Sequence, residues 1–386
     1  MPGIFRMIFF ILLTAVISCR SRDTGEKNNS FSPLQNGREL RIDHSTRFAV
    51  TIHDSFKKLK VMSPWPGSAD TFTYILYRQK TGPSTWNRGP DLTEIRLPVR
   101  SMVCFSTTHL PYLEMLGAED KLTGFPTTDY ISSEVFRERV EAGKIRDLGP
   151  SNEINFEQLL DLNPDIVIAF SMNNDISMIN KIKRSGIPVL FNADYLENHP
   201  LGRAEWIKFF AAILDREEEA DSIFSRIESG YSQTRQKMNL VDSRPGVFTG
   251  VVYGDTWFMP GGQNYGSIFI RDAGADYIWA ENPSREILQL SFESVYEKAR
   301  NAGFWVGLAT YKSLKEIRQA DQRYMEFKAY RLGNVYNYTA RQGKEGGNAY
   351  FEQGYARPDL ILNDLAKIFH PELMRGHELY FYEKLF

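Results

Sequence analysis

From Ile95 onward the chain reads as short apolar runs alternating with helical patterns, and the alternation breaks only once. Runs such as "IVIAF" and "FWVGLA" are apolar throughout, which fits strands buried on both faces of a helix-covered parallel sheet. From Leu201 to about Met238 the pattern is helical only. Trp206, Phe209, Phe210, Ile213 and Leu214 fall on one helical face there. Ile223, Phe224, Ile227 and Tyr231 recur at helical spacing further on. Asp215 with Glu218 reads as a capping box that opens the second of these helices. At about 24 residues that helix is about 36 Å long, enough to connect two domains. The expected fold class is therefore α/β. Two Rossmann-like lobes with parallel sheets are joined by a long helix, with a ligand cleft between them and a short N-terminal β addition.

The two halves repeat one pattern. "YLEMLGAEDKLTGF" in the first resembles "IFIRDAGADYIWA" in the second, and a Phe-Glu helix follows in each: "NFEQLL" with Glu157, "SFESVY" with Glu293. Ahead of "NFEQLL" in the first half, "SSEVFRERVEAG" reads as a helix capped by Ser132 or Ser133. Ahead of the lobes, Phe48 to Arg78 alternates apolar and polar residues around a turn at Pro64–Gly67. It reads as antiparallel strands covering an edge of the first lobe. The expected division is a signal peptide over 1–18, a tether over 19–45, the β addition over 46–94, a first lobe over 95–199, linking helices over 200–242 and a second lobe over 243–386.

The first residues point to export. Arg6 precedes an apolar run too short to span a bilayer, and Val16-Ile17-Ser18-Cys19 resembles a bacterial lipobox, with Cys19 as the lipid-bearing residue. The plainer alternative is a signal peptide cut near Ser18 with an incidental cysteine. The formal charge of −2 becomes −3 without Arg6, so no basic excess is available for nucleic acid. Cys104 lies in an apolar strand pattern and reads as a core residue. Without disulfides, an exported chain depends on its core, and 42% hydrophobic residues supply the material.

In open α/β sheets ligands bind beyond the carboxyl ends of the strands. Those loops hold Ser106–His109, Pro126–Tyr130, Ser171–Asp175 and Ala193–Asn198 in the first half. In the second they hold Tyr253–Tyr265, Ala280–Glu286, Thr310–Ser313 and Asn337–Asn348. They are rich in Tyr, Trp, Thr and Asn, which suits a bulky, flat, partly polar ligand. No nucleophile elbow, phosphate loop or His-Glu-x-x-His zinc motif occurs. Ser106 near His109 reads as a helix cap rather than a catalytic dyad. Among the six histidines, His109 and His199 lie near strand ends and could join an acidic residue on a zinc or manganese ion; the plainer reading is that His109 caps or lines the cleft. No metal ligand is assigned and no cofactor is expected.

The lipobox, "RSMVCFSTTHLPYLEMLGAEDKLTG", "DLGPSNEINFEQLLDLNPDIVIAF", the helical spine and the second lobe together resemble the substrate-binding proteins of ABC importers for ferric siderophores, haem and cobalamin. "PWPG" and "WFMPGGQNYGSIFIRDAGADYIWA" are similar to the variant common in Bacteroidetes. The resemblance runs from about Leu97 to the C-terminus. It implies a lipid-anchored, monomeric binding protein on the periplasmic side of a membrane, which passes a metal chelate to a permease dimer and is no enzyme. It also implies that Glu157 and Glu293 dock into arginine pockets on the two permease halves. Ligand contacts are not carried over from the family. Trp257 and Tyr265 are expected to stack on the ligand, with Thr107, Thr108, Tyr130 and Asn173 as further contacts. A zinc- or manganese-binding lipoprotein of similar architecture, or an enzyme on a two-lobed fold, are the alternative readings.

Overall fold

The computed structural model describes residues 37–78, 92–151, 153–173, 175–343 and 346–386. Cys19 and the segment expected as signal peptide lie outside the described residues. The N-terminal sheet runs in sequence order through β1 (Arg38–Glu39), β2 (Phe48–Ile52), β3 (Phe56–Met62), β4 (Thr71–Tyr77) and β5 (Leu92–Arg96), antiparallel except between β4 and β5. The first lobe contains β6 (Met102–Cys104), β7 (Leu122–Phe125), β8 (Arg146–Asp147), β9 (Ile166–Ala169) and β10 (Val189–Phe191). These form an all-parallel sheet in the order β10-β9-β6-β7-β8.

The N-terminal sheet covers the open edge of the first lobe, at β10. Trp65 and Phe72 pack on Phe191, with ring centroids 5.3 and 4.6 Å away. The backbone N–H of Phe191 donates to the Tyr74 hydroxyl at 2.9 Å. A free strand edge is a template for aggregation, and this arrangement removes it.

Three helices fill the linking segment: Pro200–Ala204, Ile207–Leu214 and Glu217–Met238. The last has 22 residues and spans about 33 Å. Its buried positions are Ala220, Phe224, Ile227, Tyr231, Thr234 and Met238, a single stripe at intervals of four and three. Ala220, Phe224 and Ile227 belong to the first core, Tyr231 and Met238 to the second. One rigid stripe therefore serves both hydrophobic cores. The expected capping box does not form. Asp215 adopts a left-handed conformation (φ 58°) at the end of the preceding helix. Its carboxylate instead pairs with Lys57 of β3 at 2.6 Å and Arg78 at 2.7 Å.

The expected tether also ends earlier than Ser45. β1 pairs with β2, and Leu40 is buried. The Glu205 carboxylate, itself buried, accepts from the backbone N–H groups of Asp43, His44 and Ser45 at 2.7–2.9 Å. Glu197 accepts from Thr46 and Arg47 in the same way. Two buried carboxylates thus gather a run of donors that would otherwise need water.

The second lobe contains β11 (Gly246–Thr249), β12 (Val251–Tyr253), β13 (Thr256–Pro260), β14 (Asp276–Tyr277), β15 (Ile287–Leu290), β16 (Phe304–Val306), β17 (Val335–Asn337) and β18 (Glu383–Lys384). Its main sheet is β14-β11-β16-β17-β18, parallel except for β18, and β12-β13-β15 form a separate antiparallel sheet. β14-β11-β16-β17 repeats the sequence order of β7-β6-β9-β10, so the lobes are topological copies. The Phe156–Leu162 helix leads into β9 and the Phe292–Ala299 helix into the equivalent β16.

Candidate functional site

The strand-end loops of the two lobes meet, and a second-lobe segment occupies the first lobe's loops. The Ala349–Glu352 helix packs against the Thr107–His109 turn. Thr107 and Thr108 are half-buried, and Ser106 caps the turn by accepting from the Thr108 N–H at 3.3 Å. Asp194 lies beside Thr108; burial pushes its carboxyl up to about 6, against the opposing pull of Thr108 and Arg203. His109 is fully buried next to Phe210. Burial lowers its pKa to about 3, which keeps it neutral. It is a core residue and does not line the cleft. His199 caps its own helix by accepting from the Leu201 N–H. Among the described residues no three His, Cys, Asp or Glu are grouped to hold a metal.

Tyr130 and Asn173 are exposed. The Tyr130 carbonyl presses on Gly347, where an added Cβ would lie 2.5 Å away. The Asn173 side chain is taken up locally by the Asp175 N–H at 2.9 Å. Neither lines the cavity described below. Glu352 ties the lobes together. Its carboxylate, 1% exposed, accepts from the Ser132 N–H and hydroxyl at 2.7 and 2.8 Å and from the Ser133 N–H at 2.9 Å. The Ser133 hydroxyl is used by Glu114. The helix at Glu134–Glu141 is therefore served at its N-terminus by a glutamate of the other lobe rather than by its own serine.

Trp257 is not a ligand contact. It lies in β13 and is fully buried, with its indole N–H donating to the Thr249 carbonyl at 3.0 Å. Its ring packs among Phe248, Phe292, Trp305, Tyr324 and Phe327. Alternation along β13 points Trp257 and Met259 inward and leaves Phe258 partly exposed.

Tyr265 does line a cavity. The cavity measures about 320 Å³ and lies at the carboxyl ends of β11 and β16, beside Thr249, Gly250, Val306 and Gly307. Its walls include Tyr265, Tyr338, Tyr350, Phe351 and Tyr382. Tyr338 and Tyr350 stack at 4.5 Å, with Phe351 edge-on to both. Gly250 (φ 79°) is required there, since a Cβ would sit 1.9 Å from the Phe258 carbonyl. Behind Tyr265 lies Arg203, 6% exposed, with its guanidinium 3.5 Å from the Tyr265 ring and 4.3 Å from that of Tyr355. Its Nε and Nη2 donate to the carbonyls of Glu197 and Tyr195. Tyr350, Phe351, Tyr382 and Arg203 were missed from sequence. For Tyr350 and Phe351 the one local signal is the aromatic density of "NAYFEQGY".

Glu157 and Glu293 are both exposed and occupy the second position of their helices. Asn155 caps the first helix and Ser291 the second, each accepting from the N–H three residues on. Glu293 also pairs with Arg323 at 3.1 Å.

Residues 102–342 match the family model described as periplasmic binding protein. An uncharacterized lipoprotein of Methanocaldococcus jannaschii is 25% identical over 98% of this chain and 95% of its own length. A second from the same organism is 26% identical over 77% of this chain and 78% of its own. Among solved structures, the periplasmic haem-binding protein of Vibrio cholerae superposes with a TM-score of 0.53 at 17% identity, covering 68% of this chain and 99% of that one. The periplasmic vitamin B12-binding protein of Vibrio cholerae gives 0.52 at 14%, covering 72% and 99%. A molybdate-binding protein of Haemophilus influenzae gives 0.54 at 19%, covering 73% and 89%. Two topologically equivalent lobes, a shared spine helix and a strand-end cavity fit the family that the sequence matches, and the chain belongs to the periplasmic binding protein family.

Proposed function

We propose that this is a lipid-anchored substrate-binding protein that captures a metal chelate (a ferric siderophore, haem or cobalamin) and delivers it as a monomer to a two-fold permease. The observation that carries the reading is the pair of exposed glutamates at the same position of equivalent helices. Two copies of one lobe present two like charges, which matches a pseudo-symmetric partner. Relatives described as lipoproteins support an anchor at Cys19, and haem- and vitamin B12-binding neighbours support the ligand class. Thermal-shift and visible-absorbance titrations with cyanocobalamin, haemin and ferric siderophores test the ligand. Failure of all three classes would end the chelate reading. Palmitate labelling that persists in Cys19→Ser would remove the anchor.

Docking has its own test. Glu157→Ala or Glu293→Ala should leave ligand affinity unchanged and lower transport roughly two- to five-fold, the scale of an exposed ion pair. Glu→Arg should lower it further by like-charge repulsion. Such rim charges act chiefly through encounter rate, so the loss should shrink as salt rises. Normal uptake by the double Ala variant would leave only helix-end stabilisation to account for the pair.

A further inference from the structure

We infer that the second-lobe cavity is a subsite for an uncharged, apolar, flat ring system, and that it discriminates against anionic groups. This rests on the solute-binding reading and narrows the kind of solute. Among the described residues, the cavity lining contains no Asp, Glu, His, Lys or Arg. A buried anion with no counter-charge is strongly disfavoured, whereas an apolar ring gains from every aromatic face it covers.

Arg203 lies outside this lining. It stands behind the Tyr265 ring, its face covered by Tyr265 and Tyr355, with Nε and Nη2 committed to first-lobe carbonyls and Nη1 buried without a hydrogen-bond partner. Tyr338 and Tyr350 do not supply charge either. Burial raises the Tyr338 hydroxyl to about 12 and holds Tyr350 well above the ordinary phenol range, so both stay neutral at physiological pH. The wall is preformed, because the stacked Tyr338–Tyr350 pair is braced edge-on by Phe351 and Tyr382. The mouth is apolar too: Phe258, Ile287 and Phe351 line the cavity and are 37%, 52% and 43% exposed. Exposed large side chains grouped at a cavity rim mark a surface built to be covered. At about 320 Å³ the space lies at the small end for ligand sites. It takes a ring-sized part of a larger solute.

A matched pair of fluorescent probes tests this without knowledge of the natural ligand. N-phenyl-1-naphthylamine is neutral, and 8-anilino-1-naphthalenesulfonate is the same skeleton with a sulfonate. The full protein should bind one neutral probe per chain, at least tenfold tighter than the sulfonate. Ile287→Trp at the rim should abolish that binding by filling the mouth. Ile287→Lys should restore sulfonate binding by supplying the missing cation. Equal or tighter binding of the sulfonate by the parent protein would overturn the inference, as would no binding of the neutral probe or binding unaffected by Ile287→Trp. The chelate titrations are independent of this outcome. Chelate binding without neutral-probe binding sinks this subsite alone, and the reverse sinks the chelate reading alone.

Discussion

Trp257→Ala should lower the unfolding free energy by about 3–5 kcal/mol, the range for deleting a large aromatic side chain from a packed core. The indole is fully buried, and its loss would leave the Thr249 carbonyl without its donor. Its neighbours come from β11, β16 and the helix that carries Glu293, so little can move inward to fill the space. Trp257→Phe should recover part of the loss, since it keeps an aromatic face and gives up only the N–H and some volume. Urea denaturation measures both. A cost below about 1 kcal/mol for the Ala variant would mean the site collapses freely, contrary to the interlocked rings around it. Because Phe292 packs on Trp257 at 6.0 Å, the Ala variant should also loosen the start of the Glu293 helix.

Glu205→Ala should cost a similar amount, about 3–5 kcal/mol, by a different route. The carboxylate accepts from three backbone N–H groups of the N-terminal arm and from Lys208, which is also buried. Removing it leaves an ammonium without that partner and three donors that must find water. The arm should then detach. Trypsin cleavage at Arg41 and Arg47 should become fast under native conditions, while the lobes stay folded. Glu205→Gln should fall between parent and Ala, since it keeps one acceptor oxygen and loses the charge. An Ala variant as protease-resistant as the parent would show that Glu197 and β1–β2 pairing hold the arm without Glu205.

What the sequence made legible follows from what kinds of residue carry each feature. The parallel lobes were readable because strands buried on both faces are apolar without interruption, as in Ile166–Ala169 and Phe304–Val306. The spine helix was readable because one stripe repeats over six turns. The helices of Glu157 and Glu293 were readable because Asn155 and Ser291 are side-chain caps close in sequence to what they cap. The error at Trp257 had a local signal against it. "YGDTWFMP" contains a two-residue Gly-Asp turn followed by in-out alternation, which is a hairpin pattern, and Tyr253 does pair with Thr256 across it. Asp215 misled because its chemistry suits a cap, while a lysine 158 residues away takes its charge. Apart from Tyr265, the cavity wall was beyond reach for the same reason. Tyr265, Tyr338, Tyr350 and Tyr382 come from separate segments that converge only in the folded lobe. Glu197, Glu205 and Glu352 likewise serve donors 150 or more residues away, and local sequence carries no trace of such partners.

The Glu352 bridge has a consequence for acidity. Burial, with Glu114 alongside, raises its carboxyl from an ordinary 4.5 to about 7, against the pull of the Ser132 and Ser133 donors. A group that holds its proton more tightly in the folded contact than in water favours that contact fully below pH 4.5, and the advantage is lost as pH rises through about 7. Unfolding free energy measured between pH 5 and 8 should fall with pH in the parent and fall less in Glu352→Gln; parallel profiles would remove the carboxyl from the account. Near neutrality, parting the two lobes would then release a fraction of a proton to the surroundings. The seam is in this sense a small buffer, and the work needed to open it is set partly by the acidity of the protein's surroundings.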